Sequence, residues 1–218
     1  MLELNNMEKT GLMRFWKENL GLTEQELNAF KEIKREDFVP ENVKARAYED
    51  IPLPLLRGKT ISQPTTVMLM THSLELRPGD KVFEVGSGSG YQTAIIAKII
   101  GPRGKIISAE VIPELVGFAK QNLAKAGIEN AEIYEEDGSN GMKDKAPFDR
   151  IIITAACKEF PKPLLSQLKP DGIIVGPVGN EKEQEMIRGI KGKDEKLQLE
   201  FLGQFIFSPL YGKYGFEI

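Results

Sequence analysis

The 218-residue chain contains one histidine, His72, and one cysteine, Cys157. Zinc sites built on nitrogen and sulfur take three or four ligands from those two residue types, so one chain cannot assemble such a site. A single cysteine also excludes an internal disulfide framework, and His72 is the only histidine available as a general base. No apolar run reaches the roughly 18 residues of a membrane span, and the start, MLELNNMEKTGLMRFWKENLG, lacks a charged-then-apolar leader pattern. The expectation is a cytoplasmic protein with no membrane partner. Nor is there an excess of charge of one sign: 29 basic and 32 acidic residues leave −3, giving no global attraction for nucleic acid.

What is present is ordinary globular composition, 41% hydrophobic and 28% charged, with 21 glycines available for tight turns. Leu12, Phe15, Trp16 and Leu20 fall near helical spacing, and Thr23 to Glu26 fits a capping box opening a second helix that ends near Ile33. The next stretch, FVPENVKARAYEDIPLPLLRGKTISQP, holds Pro40, Pro52, Pro54 and Pro64 and must be extended or looped.

From Pro64 onward short apolar strands (KVFEV, KIISAE, AEIY, DRIIIT, GIIVGPV) alternate with helix-like stretches. That rhythm specifies a doubly wound α/β fold with a mainly parallel sheet covered on both faces. The last part, EMIRGIKGKDEKLQLEFLGQFIF, reads as a hairpin around Gly-Lys-Asp, an antiparallel edge on that sheet. The expected organisation is one domain: an N-terminal helical and loop extension over 1–63, an α/β core over 64–180 and a C-terminal β region over 181–218.

The KVFEV strand runs into EVGSGSGY, Glu84 to Tyr91, and a helix follows at once. Gly86, Gly88 and Gly90 let the backbone pass close to a ligand, and the helix start offers amide donors and a positive dipole end. The spacing is G-x-G-x-G, not the G-x-G-x-x-G of dinucleotide sites. Glu110 ends the next strand, where a carboxylate suits two ribose hydroxyls, and Asp137-Gly138 follows the third strand at the same sheet edge. Taken singly, such acids are also common helix caps and solvated loop residues.

Together these features resemble the S-adenosylmethionine site of Rossmann-like class I methyltransferases. The resemblance places Glu84 on the amino-acid end of the cofactor, Gly86, Ser87, Gly88 and Gly90 along the turn, Glu110 on the ribose and Asp137-Gly138 near the adenine. A narrower resemblance covers Phe38 to Gly212. FVP, RAYEDIPLPLLRGKTISQPTTV, APFDRIIITAA, QLKPDGIIVGPVG and FSPLYG are similar, in order, to the protein-L-isoaspartate O-methyltransferase family. It implies methyl transfer from S-adenosyl-L-methionine to the free carboxylate of L-isoaspartyl residues in damaged polypeptides. It also implies that Thr60 and Ile61 lie over the cofactor, that Thr60, Ser62, Pro209 and Leu210 meet the acceptor, and that Ser62 is the catalytic hydroxyl.

Two positions depart from the family pattern: Thr65 stands where a histidine is usual, and Lys59 where a glutamine is usual. Lys59 either attracts a carboxylate or simply reaches solvent. Ser62, just before Gln63-Pro64 and an apolar run, also reads as a helix N-cap. His72 reads as a surface or packing residue and Cys157 as a small packing residue. A monomer is expected. Two other functions remain compatible: methyl transfer to an RNA base or small molecule, and cofactor binding without transfer.

Overall fold

The computed structural model describes residues 8–216. The chain opens with α1 (Lys9–Asn19) and α2 (Glu24–Glu32). The capping box forms as the sequence specifies: Thr23 Oγ1 accepts the Glu26 amide, and the Glu26 carboxylate takes the Thr23 amide. The proline-rich segment condenses into short 3₁₀ turns over 35–38 and 41–46 and a small hairpin of β1 (Leu53–Pro54) with β2 (Thr60–Ile61). Then follow α3 (Pro64–Ser73), β3 (Lys81–Val85), α4 (Tyr91–Ile100), β4 (Lys105–Glu110), α5 (Pro113–Lys125) and β5 (Ala131–Glu135). The chain continues through β6 (Phe148–Ile153), α6 (Lys162–Gln167), β7 (Leu168–Gly179), β8 (Gln184–Lys191) and β9 (Leu197–Phe205).

The seven-stranded sheet has the order β5-β4-β3-β6-β7-β8-β9. β3 to β7 run parallel, while β8 and β9 add the antiparallel edge as a hairpin over residues 192–196. Strand order reverses at β3, which lies between β4 and β6, and the carboxyl ends of the strands at such a switch point leave a crevice for ligands.

Alternation along β3 divides the interior. Val82 joins Met70 of α3, the following Leu74 and Ile96 of α4 on one face, whereas Phe83 and Val85 join Phe148, Leu164 and Leu210 on the other. The second face is covered by α6, the C-terminal segment and 3₁₀ turns in place of a helix between β5 and β6. A third cluster binds the N-terminal helices to the core: Trp16, Phe30 and Phe38 pack with Tyr91, Ile95 and Val116. Trp16 meets Phe30 edge-to-face at 4.7 Å, a geometry favoured by the ring quadrupoles. The sequence before Pro64 thus shares its core with α4 and α5.

Candidate active site

A cavity of about 1010 Å³ opens at the carboxyl edge of the sheet. Its floor is the turn after β3. Gly86 has φ +94°, and a Cβ there would come within 2.6 Å of Thr154 Oγ1. Only glycine fits that backbone and that contact. Gly88 has φ +52° and faces open space, with nothing nearer to an added Cβ than Leu55 Cδ1 at 3.9 Å. The Gly90 amide closes the turn on the Ser87 carbonyl, and Asn122 of α5 donates to the Ser89 carbonyl.

Glu110 receives the Gly88 amide at 3.0 Å and the Ile112 amide at 3.1 Å, one on each oxygen. An ionised carboxylate has about four acceptor sites, so capacity remains for hydroxyl donors. Glu136 and Gly138 stand beside it on the wall. The Thr60-Ile61-Ser62 strap also lines the cavity, with Ile61 buried and Thr60 and Ser62 accessible. Pro209 and Leu210 add to the lining. They are fixed by exchange with Ala156, whose amide bonds the Ser208 carbonyl and whose carbonyl takes the Leu210 amide.

Thr60, Ile61, Ser62, Gly86, Ser87, Gly88, Glu110, Gly138, Pro209 and Leu210 therefore line one cavity, while Glu84, Gly90 and Asp137 do not. Glu84 is fully buried behind the turn, with Thr93 Oγ1 donating to one carboxylate oxygen and the other left without a partner. Burial pushes its carboxyl up to about 7. Gly90 packs against the Ala119 backbone of α5. The Asp137 carboxylate accepts from the Ser139 and Lys213 amides and from Asn140 Nδ2.

The N-cap reading of Ser62 is overturned. The cap position is Gln63, and the amide of Thr65 is taken by Asp50 Oδ1 at 2.8 Å. This frees the Ser62 hydroxyl, which has no hydrogen bond within the described residues. Thr65 lies off the cavity, accepting from Trp16 Nε1. Lys59 lines the cavity with its Nζ 4.8 Å from the Tyr211 ring centroid, a cation–π distance, rather than simply reaching solvent. His72 pairs with Glu26 away from the cavity. Cys157 is buried, which pushes its thiol up to about 12, so it is an inert packing group.

Residues that sequence reading missed include Glu136, on the wall, and Arg35, which is wholly buried. Arg35 donates to the carbonyls of Ala47 and Ser62, both at 2.7 Å, and lies 5.0 Å from the Tyr91 ring centroid. Burial pushes its guanidinium down to about 10, so it stays cationic at neutral pH.

Residues 7–215 match the family model described as Protein-L-isoaspartate(D-aspartate) O-methyltransferase (PCMT). The chain belongs to that family. Protein-L-isoaspartate O-methyltransferase 1 of Archaeoglobus fulgidus is 44% identical over 92% of this chain and 92% of its own length. The Methanopyrus kandleri protein-L-isoaspartate O-methyltransferase is 44% identical over 87% of this chain and 84% of its own. A solved protein-L-isoaspartate O-methyltransferase superposes with a TM-score of 0.86 at 29% identity, covering 95% of this chain and 67% of that one. A Plasmodium falciparum structure, described as a putative protein-L-isoaspartate O-methyltransferase in complex with S-adenosyl-L-homocysteine, shares the fold at TM-score 0.80 and 23% identity, covering 94% and 99%. The reaction class read from the sequence, O-methyl transfer to L-isoaspartate, is that of the family. Among the described residues no helix is long and apolar enough to cross a membrane.

Proposed function

We propose that this chain transfers a methyl group from S-adenosylmethionine to the free carboxylate of L-isoaspartyl residues in damaged polypeptides, with Ser62 as the hydroxyl that holds the acceptor. The observation that carries this reading is the shared lining of one cavity: the glycine turn with Glu110 and the Thr60-Ile61-Ser62 strap both border it. The cavity lies at the upper end of the ~300–1,000 Å³ usual for ligand sites, which gives room for a nucleoside-sized cofactor and an acceptor side chain together.

The residues fit the cofactor. Gly88 presents bare backbone to the cavity, and Glu110 is held by two amides with acceptor capacity to spare. The start of α4 supplies amide donors and the positive end of its dipole for an amino-acid carboxylate. When bound, S-adenosylmethionine supplies a methyl group activated by its sulfonium sulfur.

The chain's own work is alignment. A carboxylate with a pKa near 4 is already an anion at neutral pH, so no side chain need remove a proton, in keeping with the position of His72. Ser62 donates to the acceptor carboxylate, while Ile61 and Leu55 keep water from the reacting atoms. Orientation of this kind is worth up to roughly 7–11 kcal/mol in favourable systems. The product ester loses methanol as the neighbouring backbone nitrogen closes a succinimide, whose hydrolysis returns part of the chain to normal aspartate.

The same proposal has the chain acting as one methyltransferase domain, a cytoplasmic monomer without a nucleic-acid partner, in keeping with its net charge of −3. The test is a pair of synthetic peptides that differ only in an isoaspartyl or aspartyl linkage. S-adenosylhomocysteine should form with the first and not the second; equal rates would sink the substrate assignment.

A further inference from the structure

The Arg35 guanidinium is an unusual group to find in this interior. It has no exposed surface and, among the described residues, forms no ion pair, although the nearby Asp50 charge favours its cationic form. Its acceptors are two backbone carbonyls, and Nη1 has no partner at all. Burying a cation with neutral acceptors costs folding free energy, so its place calls for a return elsewhere in the molecule.

The contacts show where that return lies. Nη2 grips the carbonyl of Ser62, 27 residues further along the chain. Nε grips the carbonyl of Ala47, which closes the second 3₁₀ turn. The guanidinium carbon lies over the ring of Tyr91, 5.0 Å from its centroid; Tyr91 is the first residue of α4, directly after Gly90. Phe38, from the same 3₁₀ turn as Arg35, meets that ring edge-on at 5.4 Å. One side chain thus touches the acceptor wall of the cavity at Ser62 and the helix that carries the cofactor turn. Arginine suits this task because its rigid fork fixes two acceptors while its plane stacks on an aromatic face.

We propose that Arg35 is a positioning residue for methyl transfer: through the Ser62 carbonyl and the Tyr91 ring it sets the acceptor strap at a fixed place relative to the cofactor turn. This rests on the reading of Ser62 given above. Arg35 itself does not line the cavity, so its effect falls on alignment rather than on either ligand's binding contacts. Misplacement by about 1 Å can cost ~100-fold in rate.

The test uses full-length Arg35→Lys, whose single ammonium cannot hold both carbonyls and face the ring, and Arg35→Ala with guanidinium chloride added at millimolar concentration. Rates are expressed per S-adenosylhomocysteine-binding site, counted by titration calorimetry, so that loss of folded protein does not enter. We expect kcat on the isoaspartyl peptide to fall by roughly 10- to 100-fold in Arg35→Lys, with S-adenosylhomocysteine affinity within about threefold of wild type, and guanidinium to restore part of the Arg35→Ala loss. An unchanged kcat per binding site overturns the proposal, as does a loss of cofactor affinity that matches the loss of rate. Failure of both variants to melt cooperatively would make Arg35 a folding residue and overturn it equally. Wild-type protein inactive on the isoaspartyl peptide would overturn the parent reading, whereas an active wild type with an unimpaired Arg35→Lys overturns this proposal alone.

Discussion

Trp16 donates its indole N–H to Thr65 Oγ1 at 2.8 Å, tying the first helix of the chain to the first turn of α3. Trp16 has no exposed surface, so water cannot replace this acceptor if it is removed. Thr65→Val keeps the shape and deletes the oxygen, and a buried donor left unsatisfied costs about 1–3 kcal/mol. Because Trp16 is the only tryptophan, its fluorescence reports this contact directly during urea unfolding. A Thr65→Val variant with the wild-type midpoint and emission would show that the bond contributes nothing.

His72 and Glu26 join α3 to α2, with Nδ1 3.1 Å from each carboxylate oxygen. The hydrogen bond to Glu26 raises the histidine above its ordinary 6.5, with burial and Arg188 opposing and Glu75 assisting. Burial alone would raise Glu26, but hydrogen bonds from His72 and Thr23 outweigh it and hold the carboxyl below 4.5. The histidine's contribution is complete below pH 6.5 and is lost as pH climbs through its raised folded value. The glutamate's contribution is present above pH 4.5 and is lost as pH drops through its lowered one. The stability gap between wild type and His72→Gln should therefore be widest between those limits. For a partly exposed pair it should be of order 0.5 kcal/mol. Urea melts at about pH 5.5 and about pH 8.5 test this; a gap of equal size at both would refute it.

How far the sequence reached depends on the range of each interaction. The Thr23–Glu26 box and the glycine turn are written in consecutive residues, and both form as read. The N-cap inference for Ser62 failed because the local rule sees only neighbours, whereas the group that takes the Thr65 amide is Asp50, fifteen residues upstream. Arg35 was invisible for the same reason: its value lies in contacts with Ala47, Ser62 and Tyr91. The burial of Glu84 off the cavity is legible in its strand. Strand alternation puts it on the face of Val82, toward α4, before the turn begins. Nothing local distinguishes Glu136, which reaches the cavity, from Asp137, which turns to the Lys213 amide.

Ser62→Ala separates acceptor handling from cofactor handling. The hydroxyl supports no other hydrogen bond among the described residues, so its removal should leave the melting temperature and S-adenosylhomocysteine affinity near wild type. Methyl transfer to the isoaspartyl peptide should fall by roughly 10- to 100-fold, the loss expected for a hydrogen bond to a charged group of about 1.5–3 kcal/mol. Wild-type turnover would remove Ser62 from the reaction.

The two glycines of the turn should fail in different ways. An alanine at Gly86 meets Thr154 Oγ1 at 2.6 Å and sits at φ +94°, so Gly86→Ala should lower the melting temperature of the whole protein. At Gly88 the added methyl meets nothing closer than 3.9 Å, leaving a left-handed backbone cost of about 1–2 kcal/mol and a methyl group facing the cavity. Gly88→Ala should therefore fold and bind S-adenosylhomocysteine at least tenfold more weakly, since about 1.4 kcal/mol is tenfold in affinity. Calorimetric titration and thermal melts of both variants decide the matter; a Gly88→Ala variant with wild-type affinity would mean that the turn does not approach the ligand.

Glu84 offers the sharpest pH test of the interior. Desolvation raises its carboxyl from 4.5 to about 7, against the opposing hydrogen bond from Thr93 Oγ1, with the Glu110 charge adding to the rise. A raised folded value means that the folded state holds its proton longer than the unfolded chain. Stability on this account is therefore full below pH 4.5 and declines as pH rises through 7. At ~1.4 kcal/mol per pH unit the loss approaches about 3 kcal/mol. Glu84→Gln keeps an oxygen for the Thr93 hydroxyl and gains an amide donor beside Ser108 Oγ, which lacks a partner. The variant should lose the wild-type decline between pH 4.5 and 8 and become the more stable protein on the alkaline side. Since Glu84 does not line the cavity, S-adenosylhomocysteine affinity should change little. Parallel pH-stability curves for the two proteins would show that Glu84 is ionised throughout, with its charge compensated inside the fold.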